Sequence, residues 1–332
     1  MVSFPITQTD YNRLMTTSSG IHHITAITGD PQKNIDFYEG FLGQKLIKRT
    51  VNFDDPRSYH FYFGDCYGKP GTLLTFFYWK NIPVGTRGVG EVSRIMYGIS
   101  TKAKDFWMQR AKKFHISCIS DENEFGEEVL TLTDPDGMTI ELVVTKEKST
   151  VDWWKLGDVL EESALRGFYG ATLTVMNTEE MVSTLATLGY TKEKTVGEHT
   201  RFVNPGERAK RLDLFEAPEM PRARQGSGSV HHIAFRSATD SDELDLRGRI
   251  QEVGAQPTPV IDRQYFHSVY FMTPAGVLFE IATDGPGFGI DEPLGALGEK
   301  LVLPPQYEPH RAAIVAALVP VVLPRNRHGK KN

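Results

Sequence analysis

Short runs rich in apolar and β-branched residues recur four times along the chain, each opening a similar order of elements. The openings are IHHITAIT (21–28), RIMYGIST (94–101), GFYGATLTV (167–175) and VHHIAFRS (230–237), and their composition predicts strands. In the first unit PQKNIDFYEGFLGQKLI follows, with Ile35, Phe37 or Tyr38, Phe41 and Leu42 at helical spacing and Gly43 as a stop signal. KRTVNF, SYHFYFG and GTLLTFFYW then read as three strands. TEEMVSTLATLGY (178–190) and ELDLRGRIQEVGA (243–255) predict the helices of units three and four. Units two and four close with DPDGMTIELVV (134–144) and TPAGVLFEIAT (273–283), each with a Pro-x-Gly turn before its last strand, and unit three closes with RLDLFEA (211–217). Every unit reads β-α-β-β-β, although pattern alone does not resolve the middle of unit two.

One such unit buries too little surface to be a robust domain, and pairing units into a cupped sheet both solves this and creates a cleft. The predicted fold is therefore α+β: four β-α-β-β-β modules paired into two cupped mixed sheets. Consecutive units are expected to pair, giving an N-terminal half over 18–147 and a C-terminal half over 164–285. EKSTVDWWKLGDVLEESAL (147–165) reads as the connection, with Trp153 and Trp154 as packing residues. Residues 286–332 form a C-terminal arm, irregular at first because of Pro286, Pro293, Pro304, Pro305 and Pro309, with one short helix over 309–317. The arm is expected to strap the surface rather than cover the cleft.

Composition narrows the partners. Of 332 residues 40% are apolar and 24% charged, and the formal net charge of -5 provides no basic footprint for nucleic acid. Cys66 and Cys118 alone make no disulfide framework. The opening MVSFPITQTDYNRLM lacks the pattern of a signal peptide, and the apolar stretch 312–323 is broken by Pro320 and too short for a bilayer. The expectation is a cytoplasmic protein acting on a small molecule, with no nucleic-acid or membrane partner, either a monomer or a homo-oligomer.

Candidate chemistry emerges when the repeats are aligned. His22-His23 falls on Tyr97-Gly98 in unit two, Tyr169-Gly170 in unit three and His231-His232 in unit four. The outer units thus carry a His-His pair and the inner ones do not. Strand alternation lets one histidine of each pair face the cleft, so units one and four facing each other would bring His23 and His232 together. On the closing strands Glu280 aligns with Glu141, Glu216 and Thr75, and only Glu280 belongs to a unit that has the histidine pair. Two imidazoles and one carboxylate make the facial triad of non-haem Fe(II) oxygenases, a set that Mn(II) also accepts. Thr75 stands where a fourth carboxylate could have come from, which favours dioxygen chemistry over simple Lewis-acid isomerisation. His60, His115, His199, His267, His310 and His328 show no comparable constellation.

The repeated architecture, together with IHHITAITGDPQKNIDFYEGFLGQKLIKRTVNF, VHHIAFR, FEIATDGPGF and LPPQYEPHR, resembles the glyoxalase/bleomycin-resistance/dioxygenase superfamily. Within it the chain looks like the enzymes that cleave the rings of hydroquinones and catechols, over residues 18–323. That resemblance implies an Fe(II) ion held by His23, His232 and Glu280, with His22, Thr25, His231, Arg263 and Tyr270 around it. It further implies a small aromatic substrate bound through a phenolic oxygen, with O₂ as co-substrate. Tyr270 would donate to an oxygen of the reacting group, Arg263 would offset negative charge or fix Tyr270, and His22 and His231 would orient the ligand strands or bind substrate. Common catechol-cleaving relatives keep all three ligands in their second half, so this chain's division between first and last units favours para-hydroquinones. A glyoxalase-like metalloisomerase or lyase, and a non-catalytic quinol- or drug-binding protein, are the competing readings.

Overall fold

The computed structural model describes residues 17–155 and 157–327, with side chains described to residue 325. The amino-terminal stretch read for a signal peptide, His328 and the end of the arm lie outside the described residues. Among the described residues, sixteen strands and few helices make up the fold, in the order read from the repeats. Module one comprises β1 (Ile21–Thr28), a short helix Pro31–Ile35 widening into a π-turn over Asp36–Phe41, β2 (Lys45–Val51), β3 (Tyr59–Gly64) and β4 (Leu73–Tyr78). Asp30 caps that helix by accepting from the Gln32 and Lys33 amides, with Pro31 at its first position, and Gly43 ends it at φ +70°. The unresolved middle of module two is a helix, Lys104–Phe114, followed by β6 (Cys118–Glu122) and β7 (Glu128–Thr133), between β5 (Glu91–Ser100) and β8 (Thr139–Thr145). Module three holds β9 (Phe168–Val175), the helix Glu179–Thr187, β10 (Thr191–Val196), β11 (His199–Val203) and β12 (Arg211–Glu216). Module four holds β13 (Val230–Ser237), the helix Asp240–Glu252, β14 (Ile261–Asp262), β15 (Phe266–Met272) and β16 (Leu278–Pro286).

The strands form two cupped mixed sheets of eight, ordered β14-β15-β16-β13-β1-β4-β3-β2 and β10-β11-β12-β9-β5-β8-β7-β6. This corrects the expected pairing of consecutive modules: module one shares a sheet with four, and module two with three. The two modules of each sheet are joined through their opening strands. β1 runs antiparallel to β13, and β5 to β9, so each opening strand sits mid-sheet with its unpaired edge satisfied by another opening strand. Consecutive modules meet off the sheets instead: Phe41 packs edge-on to Trp107, and Arg110 donates to the Phe41 carbonyl at 2.6 Å. One apolar core joins both sheets, including Ile24, Phe235 and Phe279 of the first and Ile95, Leu142 and Leu173 of the second.

The arm straps module one. Val302 N–H donates to the Arg49 carbonyl, Tyr59 donates to the Val319 carbonyl, and buried Lys48 is clamped by Asp291 and Glu292 at 2.5 Å each. Its short helix spans Arg311–Ala317. No described helix is long and apolar enough to cross a membrane.

Candidate metal centre

β1 and β13 meet at the middle of the first sheet, and each carries a β-bulge at its histidine pair. Ile21 opposes Phe235 and His23 opposes Ala234, so His22 is an extra residue; Thr25 opposes His232 and Ala26 opposes Val230, so His231 is extra in the same way. A bulge breaks strict alternation and re-aims a side chain. Both histidines of a pair therefore reach each other: His22 Nδ1 lies 2.9 Å from His23 Nδ1, and His231 Nδ1 lies 2.8 Å from His232 Nδ1. This corrects the alternation argument, because His231 lines the same cavity as His23 and His232.

His23 and His232 turn their other nitrogens together, Nε2 to Nε2 at 3.4 Å. Both face Glu280 Oε2, at 3.3 Å from His23 and 2.9 Å from His232. Among the described residues this is the cluster of three ligand-type side chains able to hold a metal ion, with its ligating atoms within 4.8 Å of one another. All three residues are buried, and Glu280 Oε2 has no hydrogen-bond partner there. Burial lowers the basicity of His232 and holds His22 well below its ordinary value, while the carboxylate raises that of His232 in part. Burial opposes the ionised form of Glu280, but His23 and His232 outweigh it and hold the carboxyl well below its usual range. If the Nδ1 of each ligand histidine carries its proton and donates to the neighbouring histidine, both Nε2 lone pairs are free. Two lone pairs and a carboxylate oxygen then converge without a proton between them, an arrangement that a divalent cation satisfies. Ser268 holds the carboxylate in place, its hydroxyl donating to Glu280 Oε1 at 2.5 Å.

A cavity of about 350 Å³ opens onto this cluster, with Phe77, Trp79, Phe266 and Tyr62 among its walls. Tyr270 pairs in register with Glu280, and its ring meets that of His232 edge-on. Arg263 Nε donates to the Tyr270 oxygen at 3.3 Å. The same guanidinium lies 3.6 Å from exposed Asp54 on the opposite rim. Thr25 and His231 also line the cavity, whereas His22 supports His23 from behind it. No described residue of the arm lines this cavity; the arm touches its rim through Tyr307, whose hydroxyl donates to the Phe53 carbonyl.

Sequence reasoning passed over His60. It lies in the cavity wall, between Tyr62 and Thr75, with Tyr62 Oη 3.0 Å from Nδ1 and Thr75 Oγ1 3.0 Å from Nε2. The signal was present in strand register. Tyr62 opposes Thr75 as Tyr270 opposes Glu280, and His60 and Ser268 each sit two residues earlier. SYHFYF and FHSVYF are thus equivalent strands with different polar residues.

Register also corrects the alignment of the inner modules. Thr25 opposes Thr75 and Ala234 opposes Glu280; in the other sheet Met96 opposes Glu141 and Thr172 opposes Asp213. The counterpart of His23 is therefore Arg94, not Gly98, and the counterpart of Glu280 in module three is Asp213, not Glu216. Gly170 does match His232. The second cup holds ion pairs where the first holds the histidine cluster: Arg94 bridges Glu124 and Glu141, and Arg201 bridges Glu127 and Asp213.

Comparison with known proteins places the chain by sequence and by fold. Residues 20–142 match the model of the Glyoxalase/Bleomycin resistance protein/Dioxygenase superfamily. A Bacillus subtilis (strain 168) protein named as a ring-cleaving dioxygenase, MhqO, is 43% identical over 302 residues, 91% of this chain and 96% of that one. The chlorohydroquinone/hydroquinone 1,2-dioxygenase of Sphingobium indicum is 34% identical over 87% of this chain and 92% of its own. A Bacillus subtilis crystal structure described as a dioxygenase superposes with a TM-score of 0.89 at 42% identity, covering 93% of this chain and 99% of that one. Glyoxalase I from Zea mays shares the fold, with a TM-score of 0.57 at 15% identity over 80% of this chain and 92% of its own. On sequence and on fold, this chain belongs to the glyoxalase/bleomycin resistance protein/dioxygenase superfamily.

Proposed function

We propose that the protein is a non-haem, Fe(II)-dependent dioxygenase that opens the ring of a hydroquinone or catechol-like aromatic. The observation that carries this is the convergence of His23, His232 and Glu280 on one point at the wall of an aromatic-lined cavity. Three protein ligands leave coordination positions for a substrate oxygen and for O₂. The names of the relatives at 43% and 34% identity support the same reaction class.

Bound there, Fe(II) would acidify a phenolic hydroxyl and mediate electron transfer from the electron-rich ring to O₂. The chain's own residues do the rest. Phe77, Trp79 and Phe266 present faces and edges to a planar ring and keep bulk water from it. Tyr270, paired in register with Glu280 and accepting from Arg263, would donate its hydroxyl proton to an oxygen atom beside Glu280. Arg263 also places a fixed positive charge where negative charge develops on oxygen. His231 is buried enough that its basicity is pushed down to about 4, so it remains a neutral imidazole. With Nδ1 accepting from His232, its Nε2–H is a donor for substrate.

Oxygen uptake by protein loaded with Fe(II) under anaerobic conditions, then given methylhydroquinone and O₂, tests the reading. The expected result is ring opening with oxygen consumed, and Mn(II)-loaded protein run in parallel identifies the working metal. No uptake across a panel of hydroquinones and catechols overturns the proposal; O₂-independent isomerisation of the hemithioacetal of an α-ketoaldehyde and a thiol would establish the isomerase instead. Alanine at His23, His232 or Glu280 should abolish metal retention, while Glu141→Ala in the other sheet should retain it, as metal analysis of the purified variants will show.

A further inference from the structure

Module one carries a buried polar string that the metal ligands do not use. It runs from Tyr62 Oη to His60 Nδ1 (3.0 Å), from His60 Nε2 to Thr75 Oγ1 (3.0 Å), and from Thr75 Oγ1 to Thr25 Oγ1 (2.8 Å). All four residues are buried, and Tyr62, His60 and Thr25 line the cavity. In register Thr75 corresponds to Glu280 and His60 to Ser268. Where a fourth ligand and its support would sit, the chain places a hydroxyl joined to an imidazole.

Such a string can be satisfied in two directions. Burial holds His60 well below its ordinary basicity, so the ring offers one N–H and one lone pair. In one direction Tyr62 donates to Nδ1, Nε2–H donates to Thr75, and Thr75 donates to Thr25, whose proton faces the cavity. In the other every donor and acceptor is exchanged, and the proton facing outward is that of Tyr62. Neither state strands a buried polar group within the string, so the two differ little in the cost of unmade hydrogen bonds. That equivalence distinguishes a relay from a fixed support.

We propose that Thr25, Thr75, His60 and Tyr62 form a reversible proton wire between two points on the cavity wall, carrying the phenolic proton released when the aromatic substrate binds. The proposal rests on the dioxygenase reading. The phenolic O–H bond breaks as the Thr25 oxygen takes the proton. Thr25 passes its own hydroxyl proton to Thr75, Thr75 passes its proton to His60 Nε2, and Nδ1 passes its proton to the Tyr62 oxygen. Tyr62 releases its original proton to a water molecule. Each member gains one proton and loses one, so no charge stays in the string and no electron is transferred. The string ends reversed, set to return a proton as the opened product leaves. Thr75 and His60 act through Thr25 and are positioning residues; Thr25 and Tyr62 are the ends that meet the cavity.

The closing experiment follows the His60 proton by ¹⁵N–¹H NMR in protein loaded with redox-inert Zn(II), anaerobically, with and without bound methylhydroquinone. Movement of the proton from one ring nitrogen to the other on binding is expected in wild type and not in Thr75→Val. In turnover, Thr75→Val should lower kcat roughly a hundredfold, the scale of a positioned proton-transfer group, with KM nearly unchanged. It should also flatten a multi-proton solvent isotope effect, and Thr75→Ser should restore both. A His60 proton that stays on the same nitrogen when methylhydroquinone binds overturns the wire even if ring opening is observed. Wild-type kcat and isotope effect in Thr75→Val overturn it as well. A proton that moves in a protein that never opens a ring refutes the dioxygenase reading and keeps the wire.

Discussion

At the scale of single residues the centre depends on orientation as much as on ligand identity. The hydrogen bond at one imidazole nitrogen sets whether the other is free for a metal, and in His23 and His232, the proposed ligands, Nδ1 is committed to the sequence neighbour. Glu280 is committed in the same way, through the Ser268 hydroxyl on Oε1. Ser268→Ala should leave the fold intact but free the carboxylate to rotate, weakening metal binding by about 10- to 100-fold, as expected for loss of a group that orients a ligand. Competition with a chromophoric chelator measures this, and an unchanged affinity would show that packing alone fixes Glu280. The triad was legible in the sequence because the His-His pairs recur at equivalent strands. His60 was not: module four has Ser268 at the equivalent position, and the histidine that module three has there, His199, stands in a unit without a His-His pair, so only strand register exposes the equivalence.

At the scale of elements, the bulges explain the error in the alternation argument. They lie at matching places in β1 and β5, between Ile21 and His23 and between Val92 and Arg94. Because the bulges match, they shift no register between the two strands; what they change is the facing of the extra residue, which strict alternation does not anticipate. The π-turn after Ile35 is another feature that helical periodicity does not distinguish from a regular helix. The helix Asp240–Glu252 adds a feature with no periodic signature at all. Glu243 is fully buried on it, with no hydrogen-bond partner for either carboxyl oxygen. Burial, partly offset by His267, pushes its carboxyl up from 4.5 to about 7. The folded state therefore binds the proton more tightly than the unfolded chain. The stability so gained is complete below pH 4.5 and is lost as pH rises through about 7. Glu243→Leu should accordingly stabilise the protein at pH 8, by on the order of 2 kcal/mol, and much less at pH 5. Urea unfolding at the two pH values checks the sign; an equal effect at both would mean that packing, not charge, governs the position.

At the scale of the whole molecule, the two sheets repeat one topology and spend it differently. The pairing of outer with outer and inner with inner modules was implicit in the histidine pattern, while chain order suggested consecutive pairing; the sheets join β1 to β13 and β5 to β9. The first cup keeps its polar positions for a cavity. The second closes on itself: Arg201, 2% exposed, makes paired hydrogen bonds to both Glu127 and Asp213, and Tyr169 donates to Glu127. Arg201 stands in register where Tyr270 stands beside the triad, and Asp213 where Glu280 stands. Removing that guanidinium would leave two carboxylates facing each other in a buried place. Loss of one partner of a buried pair costs about 3–5 kcal/mol. Arg201→Ala should lower global stability by that amount, because the apolar core runs through both sheets and leaves no cooperative boundary between them. The centre in the other sheet shares no ligand with this network, so metal bound per folded molecule and its affinity should be unchanged. Unfolding curves joined with metal titration separate the two outcomes. A variant that folds as stably as wild type but binds metal weakly would mean that the second cup tunes the first, rather than serving as its frame.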